Sequence, residues 1–483
     1  MASRVLMVWN PEDKEFWERE GKAIAARNLW ISIPALFLAF AVWMVWSVVV
    51  VNLPTIGFQF DADRLFWLAA LPGLAGATLR IFYSFMVPIF GGRKWTTLST
   101  ASLLIPAVGI GFAVRDLNTS YTTFLILSLL CGLGGGNFAS SMSNISFFFP
   151  QSQKGTALGL NAGLGNLGVS AMQFLVPLAI TAGVFGALCG DPQNCVVNGV
   201  ARPMWLQNAG FIWVPFIVVS TLAAWFGMND IASAKASFSE QAIIFRRKNN
   251  WLMCWLYLGT FGSFIGYSAG MPLLIKSQFP GVNPTQYAFL GPLVGAIMRP
   301  VGGWIADKLG GARVTFWNFI VMAGSAAGIL AFLPHGGSGG NFWGFLAMFI
   351  LMFITTGIGN GSTFRMIPVI FLTERKREAE GKGAAAQEQA LKDAAKEGAA
   401  VIGFSSAFAA YGAFFIPKAF GSSISLTGGP EAARKALQSA LGEIERGSPD
   451  WARLKRSEIA LQIEAGDMAA RAEISGDSWP CSS

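Results

Sequence analysis

Two arginines occupy matching positions in two related apolar stretches of the chain. Arg80 lies in LPGLAGATLRIFYSFMVPIFGG, and Arg299 lies 219 residues later in LGPLVGAIMRPVGGWIADKLGG. A cation in hydrocarbon is costly, and it therefore marks a functional site by default. No carboxylate lies well inside an apolar stretch to pair with either arginine. We therefore expect a partner from outside the protein, and the planar fork of donors on each guanidinium fits a small planar oxyanion.

A structural interpretation of the same arginines is that they bond helix carbonyls or extend to the membrane surface. Their mid-stretch position and their repeat symmetry favour the anion site. Arg365 and Lys418 also lie in apolar stretches, but near the ends, where extension to the surface is the favoured interpretation. The charged stretch 372–398 is predicted to form a solvated helix without chemistry.

The elements that must hold these arginines follow from composition. The chain is 53% hydrophobic and only 13% charged, whereas soluble domains carry about a quarter charged residues. Eleven apolar runs are long enough to cross a lipid bilayer as helices. They lie near 29–51, 65–88, 96–114, 121–149, 156–181, 209–227, 251–273, 285–305, 314–334, 342–371 and 399–420. The sequence thus predicts an all-α, multi-pass membrane protein, since a transmembrane barrel would show short alternating strands instead.

Basic residues in the connections predict the orientation. With the N-terminus in the cytoplasm, the inner loops hold 20 Lys and Arg residues and the outer loops hold four, in agreement with the positive-inside rule. The net charge of +8 follows mostly from this bias, so we expect no nucleic-acid partner.

A second repeated motif divides the chain into halves. Gly134, Gly136 and Asn137 recur as Gly357, Gly359 and Asn360. Similar offsets in one order indicate two parallel repeats of six helices. The predicted segments are a cytoplasmic N-terminal segment 1–28, a six-helix bundle 29–227, a central cytoplasmic loop 228–250, a five-span bundle 251–420 and a charged tail 430–483. No uncharged run in the tail reaches spanning length, so the twelfth helix is missing from the sequence.

Two glycine-rich stretches occupy corresponding places in the halves. GLNAGLGNLGVSAMQ covers 159–173 and contains Gly163, Gly165 and Gly168, and GFSSAFAAYGAFF covers 403–415 and begins with Gly403. Glycines permit the close approach of another helix or of a ligand, and the sequence leaves both interpretations open.

The sequence gives little indication of catalysis, metal binding or proton coupling. The sequence shows no phosphate-binding loop, metal cluster or nucleophile arrangement, so we expect neither an enzyme nor a cofactor or metal site. The single histidine, His335, lies in a loop, which argues against a proton-coupled site. Cys189 and Cys195 share an outer loop and can form a disulfide in an oxidising compartment or remain free thiols.

Longer motifs carry a family resemblance from about Trp9 to Gly429. The motifs are RNLWIS, RIFYSFMVPIFGGRKWT, GGNFASSMSNISFFFP, ALGLNAGLGNLGVS, WFGMND, TFGSFIGYSAG and FFIPKAFGSS. In these motifs the chain resembles the NarK-type nitrate/nitrite porters of the major facilitator superfamily. The resemblance implies a twelve-helix fold with one central anion site. The family's two arginines match Arg80 and Arg299.

The resemblance also assigns the other site residues. It implies an aromatic wall of Phe138, Tyr257 and Phe261 and polar contacts from Asn166 and Ser406. It implies nitrate/nitrite antiport across a bacterial inner membrane, serving anaerobic nitrate respiration, and we expect a monomer. The alternatives are a proton–nitrate symporter and, from another class, a non-transporting membrane anion receptor.

Overall fold

The computed structural model describes residues 4–186, 190–197, 200–232, 242–334 and 339–427, together with Trp451 and Lys455. Within these residues, eleven helices are long and apolar enough to span a membrane, which confirms the eleven predicted spans and the all-α class. They are α1 Lys14–Asn52, α2 Ala62–Phe90, α3 Gly92–Ala113, α4 Tyr121–Phe148, α5 Ser152–Ile180, α6 Asn208–Gly227, α7 Lys248–Gln278, α8 Pro284–Leu309, α9 Gly311–Phe332, α10 Phe342–Glu378 and α11 Ala400–Ile424. The predicted charged tail lies outside the described residues, apart from those two positions.

Several of these helices change their winding along their length. A π-helical turn covers Trp17–Gly21 in α1, and a second one covers Leu258–Gly262 in α7. The apolar part of α11 belongs to two consecutive helices, Ala384–Ala410 and Gly412–Thr427. Single π turns inside α-helices are frequent at functional sites, and the turn in α7 directly follows Tyr257.

Four short strands lie outside the helices. β1 (Val5–Leu6) pairs in parallel with β4 (Asp230–Ile231), so the N-terminal segment is hydrogen-bonded to the end of α6. β2 (Gln193–Val197) and β3 (Val200–Met204) form an antiparallel hairpin between α5 and α6. Since α1 already begins at Lys14, the segment predicted over 1–28 runs into the first span without a break.

Close glycine contacts explain why the repeated glycine motif recurs. A Cβ on Gly134 of α4 would lie 2.2 Å from the carbonyl oxygen of Ala39, and one on Gly357 of α10 would lie 2.3 Å from that of Gly295. Only a residue without a side chain lets these helix backbones approach so closely. The motif therefore sets how α4 packs on α1 and how α10 packs on α8, the helix that carries Arg299.

The N-terminal helices α1–α6 and the C-terminal helices α7–α11 contact each other on the side of the bundle away from the chain's N-terminus. We call the side of the bundle where α1 begins the N-terminal face, and the other side the opposite face. At the opposite face, Lys418 of α11 forms an ion pair with Asp63 of α2. Phe174 of α5 and Phe289, just before the α-helical part of α8, place their ring centroids 5.0 Å apart. These contacts hold the two groups of helices together on that side.

The charged stretch 372–398 is less solvated than predicted. Glu397 is only 3% exposed, because its carboxylate accepts hydrogen bonds from Arg375 at 2.5 and 3.1 Å and from Arg247 at 3.4 Å. Glu378 contacts the same two arginines. These ion pairs connect the N-terminal-face ends of α7 and α10 with the helix that continues into α11.

Candidate anion-binding site

Arg80 is held from two sides at the centre of the bundle. It is completely buried, its Nε donates to the carbonyl oxygen of Gly135 on α4 at 2.7 Å, and its Nη1 donates to the carbonyl oxygen of Ser406 on α11 at 3.0 Å. Its third nitrogen, Nη2, has no hydrogen-bond partner in the described part of the chain. Two bonds therefore fix the orientation of the guanidinium and leave one edge available.

Three aromatic rings surround the same guanidinium. Its central carbon lies 4.8 Å from the centroid of Phe138, 5.0 Å from that of Trp43 and 5.1 Å from that of Phe261. Ring faces attract cations without accepting a conventional hydrogen bond. They stabilise the buried charge but leave the Nη2 donors unused.

Arg299 has a related environment in the C-terminal helices. It is 6% exposed, its Nη2 donates to the hydroxyl oxygen of Tyr257 at 3.2 Å, and its central carbon lies 5.2 Å from the ring centroid of Phe364. Its Nη1 has no partner among the described residues. Neither Arg80 nor Arg299 forms an ion pair with any carboxylate that the structure describes.

A stack of rings connects the two arginines. Tyr257 and Phe261 lie 5.4 Å apart at an interplanar angle of 13°, and Phe261 and Phe138 lie 6.1 Å apart at 25°. Phe138 and Phe261 lie against Arg80, and the hydroxyl of Tyr257 contacts Arg299. The structure therefore brings together the predicted arginines and all three predicted aromatic residues.

The two polar residues predicted to contact the anion, Asn166 and Ser406, differ in their hydrogen bonding. Asn166 is completely buried, and neither atom of its amide has a partner in the described part of the chain. Ser406 reaches the site through its backbone, because its hydroxyl donates to the carbonyl oxygen of Gly403 at 2.8 Å while its own carbonyl binds Arg80. Buried polar groups are normally paired, so Asn166 has unused hydrogen-bonding capacity.

The four glycines named in the two glycine-rich stretches have two kinds of surroundings. A Cβ on Gly168 would lie 2.1 Å from the carbonyl oxygen of Phe37, and one on Gly165 would lie 2.7 Å from Leu36, so both glycines allow α5 to pack on α1. A Cβ on Gly163 would meet no atom within 4 Å, and one on Gly403 would meet only Ser84 Oγ at 3.6 Å. The first pair serves helix packing, and the second pair borders free space.

Three contacts of the arginines were not predicted from sequence. They are the ring of Trp43, the carbonyl oxygen of Gly135 and the ring of Phe364. Gly135 lies inside the repeated glycine motif, so the motif points to it. Trp43 and Phe364 are single members of sets of 17 Trp and 40 Phe residues, and no local pattern distinguishes them.

The other charged residues and the cysteines considered in the sequence analysis make none of the arginine contacts described above. Arg365 donates to Asp307 at 2.6 Å and is about half exposed, and Lys418 pairs with Asp63. Cys195 is a buried free cysteine in this structure, and Cys189 lies outside the described residues. The structure shows no group of metal-binding side chains within the residues that it describes.

The fold and the buried arginine pair define a multi-pass membrane protein built around an internal cationic centre. The model of the Major Facilitator Superfamily matches residues 35–386. The fold is similar to the crystal structure of a bacterial homolog of the human lysosomal transporter Spinster, in an inward-facing and unoccupied conformation. That chain is 16% identical, with a TM-score of 0.54, and the match covers 84% of this chain and 98% of the other.

Two curated relatives are much more similar in sequence. The nitrate/nitrite transporter NarU of Escherichia coli is 54% identical over 90% of this chain and 93% of the relative. The probable nitrate/nitrite antiporter NarK2 of Thermus thermophilus is 45% identical over 84% of this chain and 87% of the relative. The chain therefore belongs to the Major Facilitator Superfamily and, within it, to the NarK-type nitrate/nitrite porters. Its relatives are transporters rather than enzymes.

Proposed function

We propose that this chain exchanges nitrate for nitrite across the bacterial inner membrane by alternating access, with the anion bound between Arg80 and Arg299. One observation carries the proposal. Each arginine is buried, comes from a different group of helices and has one terminal nitrogen without a partner in the described residues. A buried unpaired donor on a charged group is costly, and a small oxyanion placed between the two arginines would satisfy both.

The surroundings of the arginines suit a planar monovalent anion. The hydroxyl of Tyr257 accepts from Arg299, so its own proton is free to donate to the third oxygen of nitrate. The nearly parallel rings of Tyr257 and Phe261 supply a flat apolar wall. Asn166 carries an unpaired amide in α5, and we assign it to the same anion.

The electrostatics of the empty site favour exchange over one-way transport. Without an anion, the two guanidinium groups repel each other in a low-dielectric environment. A bound anion offsets this repulsion, so the occupied protein passes between its two open states more readily than the empty one. Nitrate and nitrite are both monovalent, and one-for-one exchange moves no net charge.

Vesicles containing the purified protein test this proposal. Vesicles loaded with nitrite are expected to take up labelled nitrate, and empty vesicles are expected to take up little. A proton gradient alone is expected not to drive accumulation, because no histidine or carboxylate contacts the arginine pair within the described residues. Strong uptake into anion-free vesicles under an inward proton gradient would identify a symporter. Nitrate binding without any flux would identify a receptor.

The proposal also includes the arrangement in the membrane. We infer a monomer in the lipid bilayer with a cytoplasmic N-terminus, supported by the basic bias of the loops on that side. Protease cleavage of the N-terminal segment in right-side-out and inside-out vesicles tests the orientation. Cleavage only in inside-out vesicles is the expected result.

A further inference from the structure

Proline leaves one backbone carbonyl of α7 without its usual partner. Pro272 lies inside the helix Ser263–Gln278 and has no N–H to donate to the carbonyl four residues earlier. That carbonyl belongs to Ser268, which is 1% exposed. A buried carbonyl oxygen needs another donor, and here the donor comes from the other group of helices.

Gln173 of α5 supplies that donor. Its Nε2 donates to the carbonyl oxygen of Ser268 at 2.7 Å and to the hydroxyl of Ser47 on α1 at 3.0 Å. Gln173 is itself 1% exposed. The amide therefore joins α5 and α1 of the N-terminal helices to α7 of the C-terminal helices.

This bond lies among the contacts that close the opposite face. Phe174, the next residue of α5, packs on Phe289, and Lys418 pairs with Asp63 on the same side. Gly73 of α2 meets α11 so closely that a Cβ would lie 2.4 Å from the backbone of Ala413. Opening this face requires these contacts to separate. Water can solvate Lys418 and Asp63 once they separate, whereas the Ser268 carbonyl lies inside a helix.

We propose that Gln173 is a positioning residue of the transport cycle, whose bond to the Ser268 carbonyl stabilises the state that is closed at the opposite face and must break each time that face opens. This inference rests on the alternating access in the proposed function. Gln173 makes none of the arginine contacts described above, so it acts through the position of α7. The proline in α7 creates the acceptor that makes the bond possible.

Hydrogen–deuterium exchange of the full chain in lipid nanodiscs tests this inference. Gln173→Met keeps the side-chain volume and removes both hydrogen bonds of the amide nitrogen, of which only the bond to Ser268 joins the two groups of helices. The bond lost is worth about 1 kcal/mol, so exchange of the opposite-face ends of α5 and α7 is expected to rise about fivefold. Nitrate affinity is expected to stay within threefold of wild type, which also shows that the variant is folded.

Two further variants make the test specific. Ser128→Ala removes the same kind of bond, because the Ser128 hydroxyl donates at 2.8 Å to the carbonyl of Leu68, four residues before Pro72, within the N-terminal helices. It is expected to leave exchange at the opposite-face ends of α5 and α7 unchanged. Pro272→Ala restores an amide for Ser268, so adding Gln173→Met to that variant is expected to change exchange less than twofold.

The inference is overturned if Gln173→Met leaves exchange unchanged, if Ser128→Ala raises it equally, or if the Gln173→Met effect persists in the Pro272→Ala background. A loss of nitrate affinity above tenfold would also overturn it, because Gln173 would then act on the anion site. If the wild-type protein shows no nitrate flux but the exchange results hold, the bond is established and the proposed function fails.

Discussion

The hydroxyl oxygen of Tyr257 accepts a hydrogen bond from Nη2 of Arg299 at 3.2 Å, while the ring of Tyr257 stacks on Phe261. One residue thus orients the second arginine and extends the aromatic wall toward the first. The π-helical turn that begins at Leu258 directly follows it. An irregular turn next to a residue with two roles is consistent with a binding site on this helix.

Tyr257→Phe separates these two roles. The variant keeps the ring stack but removes the hydroxyl, so Arg299 loses a partner and the anion loses a donor. A hydrogen bond to a charged group contributes roughly 1.5–3 kcal/mol, so nitrate affinity is expected to fall about tenfold to a hundredfold. Isothermal titration measures the change. Tyr287→Phe, outside the arginine contacts, is the matched control, and equal affinities in the two variants would exclude a role for the Tyr257 hydroxyl.

Arg80→Lys and Arg299→Lys test the geometry of the cations. Lysine keeps the charge but cannot hold the Gly135 and Ser406 carbonyls and an anion with one planar group. Truncating one partner of a buried, hydrogen-bonded charge pair costs roughly 2–5 kcal/mol, so nitrate binding is expected to be nearly abolished in each variant. Binding within about threefold of wild type would show that charge alone is sufficient.

Gly168→Ala is expected to destabilise the protein, whereas Gly163→Ala is expected to be tolerated. The new methyl group at position 168 would lie 2.1 Å from the Phe37 carbonyl, and that at position 163 would lie in free space. Overpacking of this kind costs typically about 1–3 kcal/mol. Thermal unfolding followed by intrinsic fluorescence compares the two variants. If they unfold at the same temperature, the packing of α5 on α1 is looser than described.

Glu397→Gln is expected to lower stability by roughly 1.5–3 kcal/mol, because Arg247 and Arg375, each less than a fifth exposed, lose their buried counter-ion and keep only the more exposed Glu378. Asp307→Asn breaks the half-exposed pair with Arg365, and there the loss is expected to stay below about 1 kcal/mol. Denaturation of both variants measures the difference. Nitrate affinity is expected to be unchanged in each, since neither carboxylate contacts the anion site.

The sequence predicts the arginine pair because a charge stands out in an apolar stretch and because the surrounding motif repeats. It also predicts the eleven spans, since hydropathy over about 20 residues determines where a helix can cross a membrane. The positions of Trp43 and Phe364 depend on how α1 and α10 pack, and hydropathy contains no information on packing. Their roles could not be recognised among so many aromatic residues.

Ion pairs between distant segments also could not be predicted from the sequence. Lys418 and Asp63 are separated by 355 residues and Arg365 and Asp307 by 58, and no local sequence pattern indicates that they meet. The charged and small neighbours of Glu397 in the sequence predict a solvated helix. Its carboxylate contacts Arg247, just before α7, and Arg375 of α10.

Because Arg80 and Arg299 each have an unpaired nitrogen for an anion, the free energy of unfolding of this protein is expected to depend on the anions in the buffer. A ligand that binds only the folded chain raises the free energy of unfolding, by about 2.7 kcal/mol at a hundred times its Kd. Buffers that contain nitrate or nitrite are therefore expected to protect the protein during extraction from the membrane, and anion-free detergent solutions are expected to shorten its lifetime. The substrate would then act as a pharmacological chaperone of its own carrier.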